Sequence, residues 1–546
     1  EFKNYRTVLV GKENSDTRSI AENNELLFFT NYVSENGQVK SWLHEHDTRY
    51  NCYNESEEIA GGVPVNRPNI FVKEMNQYEI KTQAGTLHYN MKWLDNDKGL
   101  QKKRAFLKSI WLQTCAYLYK EERIRPEELR WSYPGSMMEA DSAELEKIFE
   151  ELCRMTPITG GRQPQLGREL TTEAEAVCSF ALSRDFGLNK DNMFLGIDVG
   201  GSTSDILLLA KDQNNGNKSS LYRESSVRIA AGVFFNAVIK SESFRQALVS
   251  FHEGRKTKVF VANIKEVLTQ PSKAPYYLNS IFDQLKSESD YEEFYSSINN
   301  NARFVFTIPA YVTGLLLFYS GMLIGKTIKT EKMDHIRRVD VLSFGKGGRL
   351  FHWLRSSATQ RVTNEYYENC LNAGVNLVTE KNLEVKYRDE IEINNKAEVA
   401  MGLVDAKELI KKQQEVDSDI CGETGVKYIM DDGTPKELQT EDELTGEYFA
   451  NEMNKFDFSG VTNFEKFMEI FIDFVSQKTR LYPQADNLRE ELADLPNRIT
   501  SYICNNDDEY RKARRTQGDD FTYHQPIIIA EGACFLDTLI KKAFNQ

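Results

Sequence analysis

The residues best suited to chemistry lie in a glycine turn, Asp198-Val-Gly-Gly-Ser-Thr-Ser-Asp205, between two short apolar runs. The runs Met193–Ile197 and Asp205–Ala210 have the length and composition of strands, so they predict a hairpin. Paired glycines let backbone N–H groups approach phosphate oxygens, and a carboxylate holds Mg²⁺, usually through water. The turn therefore predicts a site for a phosphate group and its metal ion. The alternative is a plain β-turn, which requires neither the two aspartates nor the threonine.

Six residues of this turn have expected roles. Asp198 is the candidate Mg²⁺ ligand, and Asp205 is expected to support the metal and the hairpin, which makes both aspartates candidate catalytic residues. The candidates for contacts with phosphate oxygens are Gly200, Gly201, Ser202 and Thr203.

A second glycine turn follows another predicted strand. The strand Val339–Phe344 runs into Gly345-Lys-Gly-Gly-Arg349, and a helix is expected from Leu350 onward. Glycines at such a turn let a ligand lie against the backbone. By itself, a strand–glycine–helix turn is equally typical of α/β proteins that bind nothing at that place.

The first turn closely resembles the second phosphate-binding motif of the heat-shock chaperone ATPase domains, which share a superfamily with actin and the sugar kinases. The second turn is similar to the adenosine motif of that family, with Lys346 at a position where glycine is common. The resemblance implies that this turn binds adenosine, through close backbone approach at the glycines and through an arginine beside the base. The residues concerned are Gly345, Gly347, Gly348 and Arg349.

Further segments follow the order of the same family. Arg228–Asn236 looks like the start of the chaperones' inserted subdomain, although Ala230 and Ala231 replace the family's glycine pair. Ile393–Gly402 is similar to the segment that follows the adenosine motif and begins a helix against the nucleotide domain. Upstream, Trp131–Pro134 resembles a strand that precedes the phosphate hairpin.

The helix before the phosphate turn supplies a candidate for positioning water. Thr171–Val177 resembles the family's connecting helix, whose first acidic or amide residue orients the attacking water near the γ-phosphate. Glu173 occupies that place and joins the two aspartates as a candidate catalytic residue. Thr172 or Glu175 is the equivalent if the alignment slips by one or two residues. A solvent-facing glutamate favoured by the helix dipole is the structural alternative.

The family's first phosphate hairpin, of the form Asp-x-Gly-Thr-x-x-Thr/Ser, has no counterpart before Asp198. The pair Gly61-Gly62 lacks the acidic residue. Two explanations remain: the hairpin lies upstream of Glu1 in a longer protein, or the chain is a divergent member that binds nucleotide poorly or not at all. The absence of an initial methionine favours the first.

The resemblance implies an α/β fold with two actin-like lobes, each a duplicated mixed-sheet domain with flanking helices, facing each other across a nucleotide cleft. The first lobe is expected at residues 1–192 with an inserted subdomain at about 20–97, and the second at 193–404 with an insertion at about 237–303. Residues 405–546 are expected to form a C-terminal extension, to which the sequence assigns no chemistry.

Periodicity predicts several elements outside the turns. Apolar residues at helical spacing predict helices at Ala140–Cys153 and at 171–184. The apolar stretch Ile308–Gly325 predicts a helix buried inside a domain and no membrane span, because it lacks a one-sided basic flank and aromatic belts at both ends. Near the end of the chain, Ile527–Ile529 predicts a strand and Leu536–Phe544 a final helix.

The overall composition and charge argue against several kinds of partner and site. The net charge is −14 over 546 residues, so the chain lacks the concentrated positive charge that a nucleic-acid coat requires. Its eight cysteines include no C-x-x-C pair, so neither a zinc site nor a dense disulfide framework is indicated. A reducing compartment fits this cysteine usage, and a cytoplasmic location is expected.

The resemblance, with the phosphate and metal site that the first turn predicts, implies a Mg²⁺-dependent ATP-binding protein and ATPase whose ligands are ATP or ADP and Mg²⁺. The resemblance implies that nucleotide switches the two lobes between states and so drives a protein partner or self-assembly. A chaperone-like role is favoured because the segments at 228–236 and 393–402 are closest to chaperones. The alternatives are an actin-like filament-forming ATPase, a sugar kinase, and a scaffold that kept the fold and lost the nucleotide site.

Overall fold

A computed structural model shows a chain of helices and of β-sheets with mixed, antiparallel and parallel pairing. The residues that it describes are 27–29, 51–53, 100, 103–104, 107, 111, 126–135, 137, 139–155, 163–167, 171–183, 188–201, 203–212, 218–256, 258–269, 278, 282, 288–298, 300–355, 359–388, 398–405, 419–430, 432–443, 456–460, 462–482, 484–506 and 525–544. Most of the predicted insertion at about 20–97 lies outside the described residues, and so does Ser202.

The described strands comprise those of one central sheet and those of smaller sheets. In chain order they are β1 (Leu27–Phe29), β2 (Asn51–Tyr53), β3 (Glu128–Leu129), β4 (Ser132–Tyr133), β5 (Gln165–Leu166), β6 (Thr171–Thr172), β7 (Asn192–Val199), β8 (Ser204–Asp212), β9 (Lys218–Val227), β10 (Arg338–Phe344), β11 (Glu384–Tyr387), β12 (Val426–Ile429), β13 (Pro435–Leu438) and β14 (Phe456–Asp457).

The described helices vary from single turns to a helix of 24 residues. They are α1 (Glu139–Met155), α2 (Glu173–Ser183), α3 (Gly232–Val238), α4 (Glu242–His252), α5 (Lys258–Leu268), α6 (Glu288–Ser297), α7 (Asn300–Arg303), α8 (Thr307–Thr330), α9 (Arg349–Trp353), α10 (Gln360–Asn376), α11 (Glu398–Asp405), α12 (Asn463–Ile472), α13 (Leu488–Ala493), α14 (Leu495–Asn506) and α15 (Ile527–Phe544). Short 3₁₀ turns lie at Phe304–Phe306, Lys346–Gly348 and Ala485–Asn487, and a π-helical turn at Asp473–Lys478 follows α12.

The central sheet has the strand order β11-β10-β7-β8-β9. β7, β8 and β9 form two successive antiparallel pairs, whereas β10 runs parallel to β7 and β11 runs parallel to β10. Nearly every side chain of β7 is buried, so both faces of this strand are covered and its sequence is a continuous apolar run. The mixed sheet with its helices confirms the α/β class predicted from the sequence, and the three predicted strands of the glycine turns are present.

Helix α2 covers one face of the central sheet. Val177 of α2 is buried in the same apolar cluster as Phe194 and Leu207 of the sheet. Helix α11 packs on α2 in turn, since a β-carbon added at Gly402 would lie 1.7 Å from the carbonyl oxygen of Ala176. The helix that was predicted after the adenosine-like turn is therefore present, and its backbone touches the backbone of α2. The helices predicted at 140–153 and 171–184 are likewise confirmed as α1 and α2.

Helix α8 is the buried helix predicted at Ile308–Gly325. The helical segment Phe304–Thr330, which contains α8, has a mean hydropathy of 1.6 over its apolar window, and that whole window is buried within the structure. By length and composition alone such a helix could cross a membrane, but the core helix of a large domain gives the same values. The predicted absence of a membrane span stays a prediction.

The C-terminal residues that were expected as an extension pack directly on α8. The ring of Tyr311 lies 5.5 Å from Phe467 and 5.2 Å from Phe471 of α12, and 6.3 Å from Phe535 of α15, between ring centroids. The hydroxyl of Tyr311 donates a hydrogen bond of 2.8 Å to the carbonyl oxygen of Gly532. Helices α12 and α15 therefore share one hydrophobic core with α8.

One predicted element is wrong: Ile527–Ile529 forms the first turn of helix α15 and is not a strand. Pro526 precedes the helix, and its carbonyl oxygen accepts hydrogen bonds from the N–H groups of Ile529 and Ala530. A short run of β-branched residues has the composition of a buried strand, and a buried helix shows no polar face that would reveal its period. Burial against other helices outweighs the weak helix propensity of isoleucine here.

The chain divides into two compact units. The first contains Glu1–Tyr133, Met137–Thr171 and His252–Gln284, and the second contains Pro134–Ser136, Thr172–Phe251 and Leu285–Gln546. In the first unit, Trp131 and Ile148 belong to a small apolar core, and Trp131 stacks on Phe149 at 4.9 Å. The second unit holds the central sheet, α8 and the C-terminal helices. The lobe boundaries expected at 192 and 404 stay predictions.

Candidate functional site

The first glycine turn closes the hairpin between β7 and β8. The N–H of Gly200 donates a hydrogen bond of 2.8 Å to the carbonyl oxygen of Thr203. A β-carbon at Gly200 would lie 2.8 Å from that oxygen, closer than side chains approach, whereas one at Gly201 would meet nothing within 4 Å. Gly200 is therefore required by the tight turn, and the exposed Gly201 leaves one side of the turn open.

The two aspartates of the turn are direct neighbours across the hairpin. Asp198 of β7 is paired in register with Asp205 of β8, and Asp205 is paired with Ser226 of β9. Cross-strand partners lie on the same face of a sheet with their β-carbons about 5 Å apart. Asp205 is 3% exposed while Asp198 is half-buried. The pairing places two carboxyl groups on one face of the sheet, beside the turn.

The second glycine turn leaves β10 through Gly345, whose φ is +67°. The N–H of Gly348 donates to the carbonyl oxygen of Gly345 at 3.2 Å, which closes the 3₁₀ turn before helix α9 begins at Arg349. An L-residue adopts positive φ with difficulty, so this position requires glycine. The predicted strand, glycine turn and helix are thus all present.

The two glycine turns touch each other. Because β7 and β10 are parallel, with Phe344 in register with Asp198, both turns leave the sheet at the same edge. A β-carbon at Gly345 would lie 2.2 Å from Oδ1 of Asp198, and one at Gly347 would lie 2.3 Å from the carbonyl oxygen of Val199. Crevices beyond the carboxyl ends of parallel strands are where α/β proteins commonly bind ligands. The two motifs were separate predictions from the sequence, and the fold brings them together.

A third segment, residues 226–232, which we call the connector, joins β9 to α3 and holds the tip of the hairpin. The N–H groups of Ala231 and Gly232 donate to the carbonyl oxygens of Gly200 and Gly201, each at 3.1 Å. The hydroxyl of Ser204 donates to the carbonyl oxygen of Ile229. The resemblance had pointed to this segment without indicating any contact with the turn.

Glu173 is the first residue of α2 and is half-buried. Its neighbours Thr172 and Glu175, the alternatives considered for the same role, bind each other in a capping box. The N–H of Glu175 donates to Oγ1 of Thr172 at 3.1 Å, and the N–H of Thr172 donates to Oε2 of Glu175 at 2.6 Å. These two side chains therefore have a structural task, and the role of Glu173 in orienting water stays a prediction.

The other predicted site residues differ in how far their side chains are exposed to solvent. Thr203 is 4% exposed, so its side chain is largely enclosed, and Arg349 is half-buried at the start of α9. Their contacts with phosphate and adenosine stay predictions, as does that of Ser202. Among the residues that the structure describes, no three His, Cys, Asp or Glu side chains are grouped as metal ligands. The role of Asp198 as a Mg²⁺ ligand stays a prediction.

Sequence reasoning missed the contributions of Ser226 and Ile229 to this site. Neither residue type carries a signal of its own, because a serine in a strand and an isoleucine after it are ordinary components of a sheet. Their relation to the turn follows only from the pairing of β8 with β9. Predicting the register of β8 and β9 from the sequence could have identified Ser226.

Comparison with known proteins adds no relative: no protein-family model matches the chain, and no curated protein matches it. The resemblance to the actin and heat-shock chaperone superfamily stays a prediction from the sequence motifs of this chain.

Proposed function

We propose that the edge of the central sheet at Asp198 binds ATP or ADP together with Mg²⁺. The observation that carries this proposal is the direct contact of the two glycine turns, with Gly345 against Oδ1 of Asp198. A phosphate-type turn and an adenosine-type turn can serve one nucleotide when both leave the sheet at the same edge, as these turns do. The mixed sheet with a helix on its face agrees with the lobe that the resemblance implies.

In this site the residues act at different parts of the nucleotide. Asp198 holds Mg²⁺ through water, and Asp205 supports it from the neighbouring strand. The open side of the turn at Gly201 admits phosphate oxygens to backbone N–H groups. Arg349, with the glycines before it, lies beside the adenosine. Glu173 orients the attacking water if hydrolysis takes place.

Binding is the primary activity in this proposal, and hydrolysis is secondary. Residues 1–546 contain one phosphate hairpin of the two that the family uses, so these residues alone supply one of the two clamps on the transferred phosphoryl group. Nucleotide binding then serves as a switch, since a ligand with different affinities for two conformations shifts their populations. A chaperone-like switch follows from the resemblance of the segments at 228–236 and 393–402.

Isothermal titration of the chain with ATP tests this proposal, with and without Mg²⁺. We expect heat release that requires Mg²⁺ and that Asp198→Ala abolishes. Asp537→Ala is the matched control, because Asp537 is an exposed aspartate on α15, and it should bind as the wild type does. If the folded wild-type chain shows no Mg²⁺-dependent binding, or if Asp198→Ala binds equally well, the proposal is wrong.

A further inference from the structure

The connector is held by a residue from the distant C-terminal part of the sequence. The side-chain oxygen of Gln525 accepts a hydrogen bond of 2.9 Å from the N–H of Arg228. The side-chain nitrogen of Gln525 donates to the carbonyl oxygen of Ser226 at 3.4 Å. Gln525 is 2% exposed, so its amide meets these backbone groups away from solvent. Both ends of one amide group therefore engage the connector.

Helix α15, which begins two residues after Gln525, also touches the connector. A β-carbon at Gly532 would lie 3.6 Å from Cδ1 of Ile229, a residue that is almost completely buried. The carbonyl oxygen of the same Ile229 accepts the hydrogen bond from Ser204, at the start of β8. The connector is thus enclosed between the C-terminal helix and the hairpin of the glycine turn.

These contacts form a continuous chain from the C-terminal helix to the glycine turn. Gln525 binds the connector at Arg228, and the connector binds the turn through the N–H groups of Ala231 and Gly232. All the groups involved are backbone atoms or buried side chains. Because such groups are closely packed, the atoms between the two ends have little space in which to absorb a displacement. Gln525 and the turn are thus linked by two successive sets of hydrogen bonds.

We propose that Gln525 is a positioning residue for the nucleotide site, so that the C-terminal part of the chain sets the affinity for nucleotide. The identity of the ligand rests on the function proposed above, whereas the mechanical link does not. Loss of the amide would remove this partner from the N–H of Arg228 and from the carbonyl of Ser226, which loosens the connector. Since coupling between sites is reciprocal, bound nucleotide in turn holds the C-terminal helix more firmly.

Hydrogen–deuterium exchange in the absence of nucleotide tests the link itself. Gln525→Ala should speed exchange in peptides that cover the connector and the turn, where the N–H groups of Ala231 and Gly232 report directly. Exchange at Arg388, whose N–H bonds to the carbonyl oxygen of Val341 at the far side of the sheet, should stay unchanged. A uniform increase over the whole protein, or no increase at the connector, would overturn the proposal.

The matched control is Gln360→Ala, because Gln360 is an exposed glutamine on helix α10 of the same compact unit. Titration with Mg²⁺ and ATP should show affinity weakened about tenfold in Gln525→Ala, within the usual range of coupling between sites, and unchanged in Gln360→Ala. A variant whose connector is loosened but whose affinity equals that of the wild type contradicts the positioning role.

The two proposals fail in different ways. If the wild type binds no nucleotide, the proposed function is wrong, and the exchange comparison of Gln525→Ala still decides whether Gln525 holds the turn. If Gln525→Ala does not fold, the wild type alone decides: addition of Mg²⁺ and ATP should slow exchange at the connector and at residues 525–530. Nucleotide binding without such slowing overturns the role of Gln525.

Discussion

At the scale of single residues, Gly345 shows how closely the two turns depend on each other. Its φ of +67° lies in the left-handed region, and a β-carbon there would lie 2.2 Å from Oδ1 of Asp198. The position therefore requires glycine for two separate reasons, one in the backbone and one in the space beside it. Only the second reason involves the carboxylate that is proposed to hold Mg²⁺.

Gly345→Ala should damage both stability and nucleotide binding. The left-handed backbone of alanine costs about 1–2 kcal/mol, and the added methyl group also displaces the carboxylate of Asp198. We expect a lower free energy of unfolding in urea and weaker binding of Mg²⁺ and ATP by titration calorimetry.

Gly433→Ala separates the two effects. Gly433 also has a positive φ, +82°, but a β-carbon there would meet nothing within 4 Å. This variant should lose a similar amount of stability from its backbone and bind nucleotide as the wild type does. Equal nucleotide affinity in the two variants would show that the contact between Gly345 and Asp198 is unimportant for binding.

Among single residues, the sequence could predict those whose role depends on their immediate neighbours in the chain. The aspartates and glycines of both turns could be predicted because their spacing is dictated by the turns themselves. Gln525 could not be predicted, because a glutamine before a proline has no local signature and its partners lie about 300 residues earlier, at Ser226 and Arg228. Long-range side-chain contacts of this kind follow from tertiary packing alone.

At the scale of elements, a buried aspartate holds the strands of the site in register. Asp340 of β10 accepts hydrogen bonds from Asn192 of β7 and from Arg388, which follows β11, the latter at 3.3 Å. It also accepts from Arg338 on its own strand at 3.1 Å. A buried carboxylate is tolerated because these donors compensate for its lost hydration. The parallel pairing that places both turns at one edge is thereby reinforced at the other end of the strands.

Helices α8 and α10 cross in backbone contact. A β-carbon at Gly321 of α8 would lie 2.1 Å from the carbonyl oxygen of Leu371, and one at Gly374 of α10 would lie 1.9 Å from that of Phe318. Glycine is normally unfavourable inside a helix by about 1 kcal/mol relative to alanine. These glycines are therefore explained by the close approach of the two helices.

Gly321→Ala should destabilise the protein even though alanine is the better helix former. The methyl group forces the helices apart and disturbs their packing, which typically costs about 1–3 kcal/mol. Asn369→Ala is the control, because Asn369 is exposed on α10 and its replacement improves helix propensity without a clash. Urea unfolding should show a loss for Gly321→Ala and no loss for Asn369→Ala. An increase in stability for Gly321→Ala would contradict the close crossing.

The helices also show where sequence patterns lose information. An amphipathic helix such as α1 has a clear period, so its bounds were predicted to within two residues at Ala140–Cys153. Helix α15 is buried along its first turns, so Ile527–Ile529 carries no polar residues to mark a helical face. Its assignment depends on what it packs against, which the sequence does not display.

At the scale of the whole molecule, the C-terminal part joins the core through a buried pair of carboxyl groups. Oε1 of Glu423 accepts hydrogen bonds from the N–H groups of Thr462 and Asn463 at 3.0 and 2.7 Å, and Oε2 accepts from Phe464 at 2.8 Å. These donors lie at the start of α12, where a negative charge is favoured. Glu531 of α15 is fully buried beside this carboxylate. The pKa of Glu531 is raised well above its usual value, because burial has the largest effect and the negative charge of Glu423 the next largest.

The raised pKa of Glu531 predicts that the protein loses stability as pH rises. Below the pKa of the unfolded chain, near 4.3, the group is protonated in both states. Above it, folding must keep a proton that the unfolded chain has released, so the free energy of unfolding falls by up to about 1.4 kcal/mol per pH unit until the folded pKa is reached. Glu531→Gln removes this titration. In urea unfolding between pH 5 and 8, the free energy of unfolding of the variant should therefore rise relative to that of the wild type as pH rises. Glu490→Gln is the control, because Glu490 is exposed on α13. The difference in free energy of unfolding between this variant and the wild type should not change with pH. A constant difference between Glu531→Gln and the wild type across this range would mean that Glu531 is ionised in the folded protein.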